Sequence, residues 1–273
     1  LKLLYSGQLL HEEALHIPAT NRAFQYNDGF FETIIIVNGK LRFWKSHQER
    51  MQEAALALGL ELPGYFLDVG LEHQLVELAK QNSAELYGRV KLKVWRGGNG
   101  LYTPDTNTAH WLATAVASEP APFSAIEIGI CQKINTAYHA LSGFKGPNAP
   151  LYVLAGIEKK ERQLDDMLLL SPQGWVSELT SSNIFWVQDN QFYTPSLNTG
   201  CVNGILRRQM LAWCAANSFT YHEVQVTPKH VFMSDTAFAI NITGIRSIRN
   251  IDQVALRQQP ELLHRLRVGL GIV

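Results

Sequence analysis

Three residue types in unusual company set the first question of this chain: a lysine, a carboxylate and an arginine. Lys145 lies in LSGFKGPNAP, an apolar, glycine-flanked stretch. A lysine amine near its free pKa of about 10.4 is a poor nucleophile at neutral pH. Desolvation or a neighbouring cation lowers that value and frees the lone pair for covalent or base work. Glu178 sits in GWVSELTSSNIFWV, an acid beside hydroxyl residues and ahead of an apolar run. A buried carboxylate needs a partner that offers a proton or a charge. Asn203-Gly204 directly precedes the apolar-periodic ILRRQMLAWCAA, and open N–H groups at a helix start attract phosphate. INITG at 240–244 is a second small-residue turn with donors to offer, and Arg50 carries the several donors that a phosphate takes. Each also has a plainer role: a solvated lysine, a turn acid bonded to Ser181 or Ser182, two ordinary turns, and an arginine paired with Glu53.

The elements that must position these groups are legible as pattern. IIIVNGKLRF at 34–43 reads as a hairpin turning at Asn38-Gly39. Ser46 with Glu49 resembles a capping box opening a helix whose apolar face carries Met51, Ala54 and Leu58 and which Gly59 stops. A second helix is expected from about Val69 to Lys80. GRVKLKVWRGG and HWLATAVAS read as strands. SEPAPFS at 118–124 has the prolines and small polar residues of a linker, dividing a smaller α/β domain, 1–117, from a larger one, 125–273. The second half continues with a strand at 126–132, a helix from about Ala149 to Lys160 with Pro150 in its first turn, and the strands NIFWV and QFYTP. A helix at VNGILRRQMLAWCAA, a short helix capped by Thr227 before Pro228, the strand AFAINITGI and a last helix packed by Leu256, Leu262, Leu263 and Leu266 complete the chain. Both halves are mixed α and β, and periodicity alone does not choose between layered folds.

Bulk composition narrows the partners. Lys plus Arg and Asp plus Glu are equal at 24 each, so no net field gathers nucleic acid or anionic membrane. No apolar run approaches twenty residues, which excludes a spanning helix of ordinary length, and LKLLYSGQLL turns polar too quickly for a signal peptide. The three cysteines, Cys131, Cys201 and Cys214, form no CxxC pair and no metal-ligand cluster. The expectation is a reducing, cytoplasmic setting without a bound metal.

Five segments, taken in order, resemble the fold-type IV pyridoxal-phosphate enzymes, the class IV aminotransferase family. They are NRAFQYNDGFFET; HQERM; FKGPN; LAGIEKKERQLDDMLLLSPQGWVSELTSSNIFWV; and FYTPSLNTGCVNGILRR. The likeness runs from about Tyr5 to Ile248. It implies a mixed α+β fold of two domains, the larger with a barrel-like sheet core and helices. It further implies pyridoxal 5'-phosphate as cofactor and a homodimer acting on a small molecule. By that likeness Lys145 matches the lysine that holds the cofactor as a Schiff base, Glu178 the acid on the pyridine nitrogen, and Arg50 the arginine on the phosphate. Gly204 with Ile205, and Ile242 with Thr243, match the two backbone phosphate cradles, and Asn183 joins the cofactor residues. An anionic carboxylate keeps a ring nitrogen protonated, which the cofactor's electron sink requires, and the freed lysine can then serve as general base and acid.

The reaction is less sharply marked. VNGILRR and DTAFAINITGIRSI resemble the lyase branch, which converts 4-amino-4-deoxychorismate to 4-aminobenzoate and pyruvate in folate synthesis. The alternative is transamination of a branched-chain or related amino acid with 2-oxoglutarate. Leu101 stands where lyases and D-amino acid aminotransferases often carry a carboxylate-binding arginine, and Phe31 where the latter have a tyrosine. Pro150 stands where branched-chain enzymes have a tyrosine. Lys91 is the best candidate to replace the missing carboxylate donors, with Arg96 and Tyr102 nearby, and Phe31, Tyr26 and Trp95 would line an apolar pocket. The plainer role of Lys91, with Lys93, is the solvent face of an alternating strand.

Overall fold

The computed structural model describes residues 1–272, and the chain divides into two compact units, Leu1–Pro120 with Phe144–Pro147, and Ala121–Gly143 with Asn148 onward. The architecture is mixed α+β, with a curled sheet and flanking helices in the second unit. Among the described residues no helix is long and apolar enough to cross a membrane, and no group of three or more His, Cys, Asp or Glu is placed to hold a metal.

In the first unit the elements run β1 (Lys2–Tyr5), β2 (Gln8–His11), α1 (Arg22–Tyr26), β3 (Gly29–Val37), β4 (Lys40–Leu41), α2 (Trp44–Leu58), α3 (Val69–Gln81), β5 (Tyr87–Arg96) and β6 (Ala109–Ala117). The six strands form one antiparallel sheet in the order β2-β1-β6-β5-β3-β4. Period-two alternation sorts its side chains. Phe30, Ile34, Val90, Leu92, Val94, Trp111 and Ala113 go into the core with the buried faces of α2 and α3. Phe31, Thr33, Lys91 and Lys93 share the opposite face, since Phe31 pairs with Lys93 and Thr33 with Lys91. Asn38 (φ 48°) and Gly39 (φ 74°) make the expected hairpin turn with left-handed backbone at both positions. The expected capping box is not the start of α2. The helix begins at Trp44, a core residue, after Phe43 in the left-handed region, so Ser46 lies inside the first turn. Gly59 (φ 63°) ends it as expected.

The second unit runs β7 (Ile126–Ile130), α4 (Ala149–Glu161), β8 (Asp166–Leu170), β9 (Val176–Leu179), β10 (Asn183–Gln188), β11 (Gln191–Pro195), α5 (Ile205–Ala216), β12 (Tyr221–Val224), α6 (Pro228–Phe232), β13 (Thr236–Asn241), β14 (Gly244–Ile251), β15 (Val254–Ala255) and α7 (Pro260–Gly269). Its strands are ordered β12-β11-β10-β13-β14-β7-β8-β9, with β15 beside β14. The sheet curls until its two ends meet: the Val176 amide on β9 donates to the Val226 carbonyl just beyond β12 at 2.8 Å. Inside lie Ile128, Leu168, Leu179, Ile184, Trp186, Ala237 and Ile248.

The tetrapeptide Phe144–Pro147 groups with the first unit although its neighbours in sequence group with the second. Phe144 packs on the first core, the Phe31 amide donates to the Lys145 carbonyl at 2.9 Å, and Asn27 Nδ2 donates to the Gly146 carbonyl at 2.7 Å. Gly146 adopts φ 128°, and a Cβ there would stand 2.9 Å from Phe30 Cα, so only glycine lets this backbone run so close. Gly29 is equally constrained: a Cβ would lie 2.1 Å from the Val94 carbonyl oxygen, on a paired strand that cannot step aside. Gly29→Ala is therefore expected to destabilise the protein by about 1–3 kcal/mol in urea unfolding. Unchanged stability would mean that β3 and β5 are not this close.

Candidate active site

The first unit presents two groups of polar side chains. One is buried between β3 and α2. Glu32, on the core face of β3, accepts from Arg50 through Nε at 2.8 Å and Nη2 at 2.5 Å, and its Oε2 lies 2.7 Å from His47 Nδ1. All three residues are buried. His47 and Arg50 sit one turn apart on α2, so one helical face carries both toward the acid. Burial alone would raise the Glu32 carboxyl, but the Arg50 charge and the His47 bond prevail and hold it down at about 2. Burial pulls the His47 imidazole below its ordinary value, helped by the Arg50 and Lys145 charges and opposed by Glu32. Sequence reading found Arg50 and missed both partners, because Glu32 precedes His47 by 15 residues and Arg50 by 18 and is hidden in an apolar run.

The other group lies on the opposite face of the sheet. Lys91 Nζ stands 5.1 Å from the centroid of the Phe31 ring, and Lys93 Nζ donates to Asn27 Oδ1 at 2.7 Å. Burial, then the neighbouring Lys91 charge, lowers the Lys93 pKa. The Lys91 ammonium over an aromatic ring, with Lys93 on the same sheet face, forms a local cationic patch suited to a carboxylate. The Tyr26 and Tyr102 rings lie 5.6 Å apart, and Leu101 and Tyr102 are exposed. Arg96, expected among the substrate donors, is engaged elsewhere. Its nitrogens donate to Asp28 Oδ2 (3.0 Å), the Gly59 (2.9 Å) and Leu58 (2.5 Å) carbonyls and Asn107 Oδ1 (2.5 Å). It ties the end of β5 to the end of α2 and is removed from the substrate group. Arg22, not singled out from sequence, holds the Asn99, Gly100 and Leu101 carbonyls and Asp28, fixing the loop that carries Tyr102. Lys145 is half-buried on its glycine-tethered segment.

In the second unit Glu178 on β9 is buried at 3% exposure. It accepts from the Tyr152 hydroxyl at 2.7 Å and from the Val202 amide at 3.1 Å to each oxygen. Burial first, and then the Glu178 charge, raise the Tyr152 phenol far above its ordinary pKa and push the Cys201 thiol up to about 12. The acid thus has neighbours that stay protonated. Asn183 donates from Nδ2 to the Val202 carbonyl at 2.8 Å, and a Cβ on Gly204 would lie 2.2 Å from Asn183 Oδ1. Asn183 therefore moulds the turn that leads into α5. Gly204 caps α5 without any side-chain bond, which leaves the first-turn N–H groups around Ile205 available to an anion. At the other expected cradle, Ile242-Thr243 forms the β13–β14 turn, and both the amide and the hydroxyl of Thr243 donate to Asn241 Oδ1, at 2.9 and 2.6 Å.

With this geometry in view, the relatives are informative. The family described as amino-transferase class IV matches residues 29–251. The chain is 28% identical over 243 residues to an aminodeoxychorismate lyase of Vibrio harveyi, covering 86% of this chain and 88% of that one. It is 30% identical over 252 residues to a probable branched-chain-amino-acid aminotransferase of Rickettsia bellii, covering 89% and 86%. Among solved structures, the branched-chain aminotransferase of the thermophilic archaeon Thermoproteus uzoniensis with norvaline superposes with a TM-score of 0.87 at 21% identity, covering 99% and 95%. The chain belongs to the class IV aminotransferase family and is a pyridoxal-phosphate-dependent enzyme of fold type IV. The residues present fit that cofactor: a buried acid for a ring nitrogen, an uncapped helix start for a phosphate, and a half-buried lysine.

The Glu32 cluster makes a pH prediction. Its folded pKa, about 2, lies below the ordinary 4.5, so its stabilisation is complete above 4.5 and is lost as pH falls through 2. His47, also lowered, loses its contribution in the same direction as pH falls below its ordinary 6.5. Glu32→Gln should destabilise by about 3–5 kcal/mol, since it leaves Arg50 buried without its counter-charge, and should flatten the acid limb between pH 4.5 and 2. An unchanged acid limb in urea titrations would contradict the pairing.

Proposed function

We propose that this enzyme moves an amino group attached beside a carboxylate, with Lys145 as its reactive amine, and that its reaction is transamination of a branched-chain or related amino acid with 2-oxoglutarate. The observation that carries the cofactor assignment is the Glu178 carboxylate, held in the interior by the Tyr152 hydroxyl and the Val202 amide. When bound, pyridoxal phosphate supplies an electron sink for the carbon that bears the amino group. Glu178 holds a proton on the ring nitrogen by its negative charge. The N–H groups at the start of α5, around Ile205, would hold the phosphate and so place binding energy away from the reacting end, and Arg50 offers the donors a phosphate takes; the Thr243 amide and hydroxyl are already spent on Asn241 Oδ1. Lys145 Nζ removes the proton from the reacting carbon and returns it, as base and then acid. The Lys91 ammonium, beside Phe31, receives the substrate carboxylate, while Phe31 and Tyr26 supply apolar wall; Trp95, expected with them, is buried against Tyr5 and His110.

The identity to the Rickettsia bellii aminotransferase supports transamination over the lyase order that the VNG segment suggested. The lyase remains a second reading on one specific observation: Asn203-Gly204 opens α5, and the Vibrio harveyi lyase is 28% identical over most of both chains. A homodimer is part of the proposal, supported by the exposed apolar residues Val153, Leu154 and Ile157 on α4.

Two assays separate the readings. Leucine with 2-oxoglutarate should yield glutamate, and aminodeoxychorismate alone should yield little pyruvate; pyruvate and 4-aminobenzoate in the second tube only would reverse the order. Lys145→Ala should abolish turnover in either assay. Lys91→Ala should raise KM for the amino substrate about tenfold or more, the loss of one charge-assisted bond. An unchanged KM would move the carboxylate site elsewhere.

A further inference from the structure

We infer that Tyr152 is a positioning residue that acts through Glu178, fixing the carboxylate as the proton-holding partner of the cofactor's ring nitrogen. The inference rests on the cofactor reading above and adds to it that the Tyr152 hydroxyl orients the carboxylate, not only satisfies it.

The geometry is specific. Tyr152 lies on the first turns of α4, just after the lysine segment, and its hydroxyl reaches Glu178 Oε1 at 2.7 Å. Val202 N–H reaches both oxygens at 3.1 Å from the turn that leads into α5. The carboxylate is therefore gripped from a helix on one side and a loop on the other, while its own backbone is locked in β9 opposite Leu169. The Tyr152 ring packs with the core of Cys131, Ala155, Met167 and Leu169, so the hydroxyl cannot swing away without disturbing that packing. A phenol held protonated by burial and by the adjacent anion can only donate here. A hydrogen bond to a charged acceptor contributes more than one between neutral groups. It also selects one orientation of the carboxyl plane, which a backbone N–H shared between two oxygens does not.

Tyr152→Phe removes one oxygen atom and keeps the ring. The test is fluorescence titration of the apoprotein of wild type and variant with pyridoxal 5'-phosphate, and with its 1-deaza analogue, in which carbon replaces the ring nitrogen. The substituted ring is isosteric with the packed phenol, so a thermal melt of each apoprotein serves as the check on folding. The expected result is about tenfold or weaker binding of pyridoxal phosphate by the variant, a shifted visible band of the bound cofactor, and near-equal binding of the deaza analogue by both proteins. Loss of affinity of the same size for both ligands would overturn the inference, since it would mark the hydroxyl as a packing element. Equal affinity of both proteins for pyridoxal phosphate would overturn it as well. Failure of the wild type itself to bind pyridoxal phosphate would instead strike the cofactor reading, and the inference with it.

Discussion

Satisfying a carboxyl group buried inside an apolar sheet is the constraint on which the second unit is built. An isolated buried carboxylate would take up a proton rather than stay charged. Glu178 is met by donors from two different elements, the Tyr152 hydroxyl and the Val202 amide. Those donors fix where α4 and the turn before α5 must lie. Asn183 repeats the logic one step out by holding the Val202 carbonyl, and Gly204 has no Cβ because Asn183 fills that space. One buried carboxyl group thus ties together β9, the start of α5 and the inward face of α4.

The first unit solves the same problem with ions instead of neutral donors. Glu32 faces the hydrophobic core and is neutralised by Arg50, with His47 taking the remaining direction on Oε2. Such a cluster contributes less through attraction than through specificity, because its members are costly to bury in any other arrangement. It fixes the guanidinium of Arg50, which is what a phosphate-binding role requires of it. The Lys145 segment is positioned through its backbone: the Phe31 amide and the Asn27 side chain hold the carbonyls of Lys145 and Gly146, and Gly146 permits the close approach. The segment is thus held by its backbone carbonyls rather than by its side chains.

Much of this was legible in sequence. Helices expected at 69–80 and 149–160 occur at Val69–Gln81 and Ala149–Glu161, and the Asn38-Gly39 hairpin turns as expected, because local periodicity and turn chemistry act over a few residues. The family followed from five ordered motifs, and Glu178, picked out as an acid in need of a partner, is buried and bonded. What escaped was through-space. The return of Phe144–Pro147 to the first unit depends on a tertiary contact with β3. Arg96 looked like a substrate donor, and only the folded carbonyls of Leu58 and Gly59 show it to be a structural tie. Tyr152 gave no signal, since an aromatic residue on an amphipathic helix reads as core. The Ser46-Glu49 pattern failed because burial of Trp44 drew the helix start back to that residue.

The central claim is that one lysine of this chain, Lys145, carries the cofactor. Its most direct test is to load the protein with pyridoxal 5'-phosphate, reduce with borohydride, digest, and locate the phosphopyridoxyl mass by tandem spectrometry. A single modified peptide with the added group on Lys145 is the predicted result. The label on Lys91, Lys93 or scattered surface lysines, with Lys145 unmodified, would contradict it.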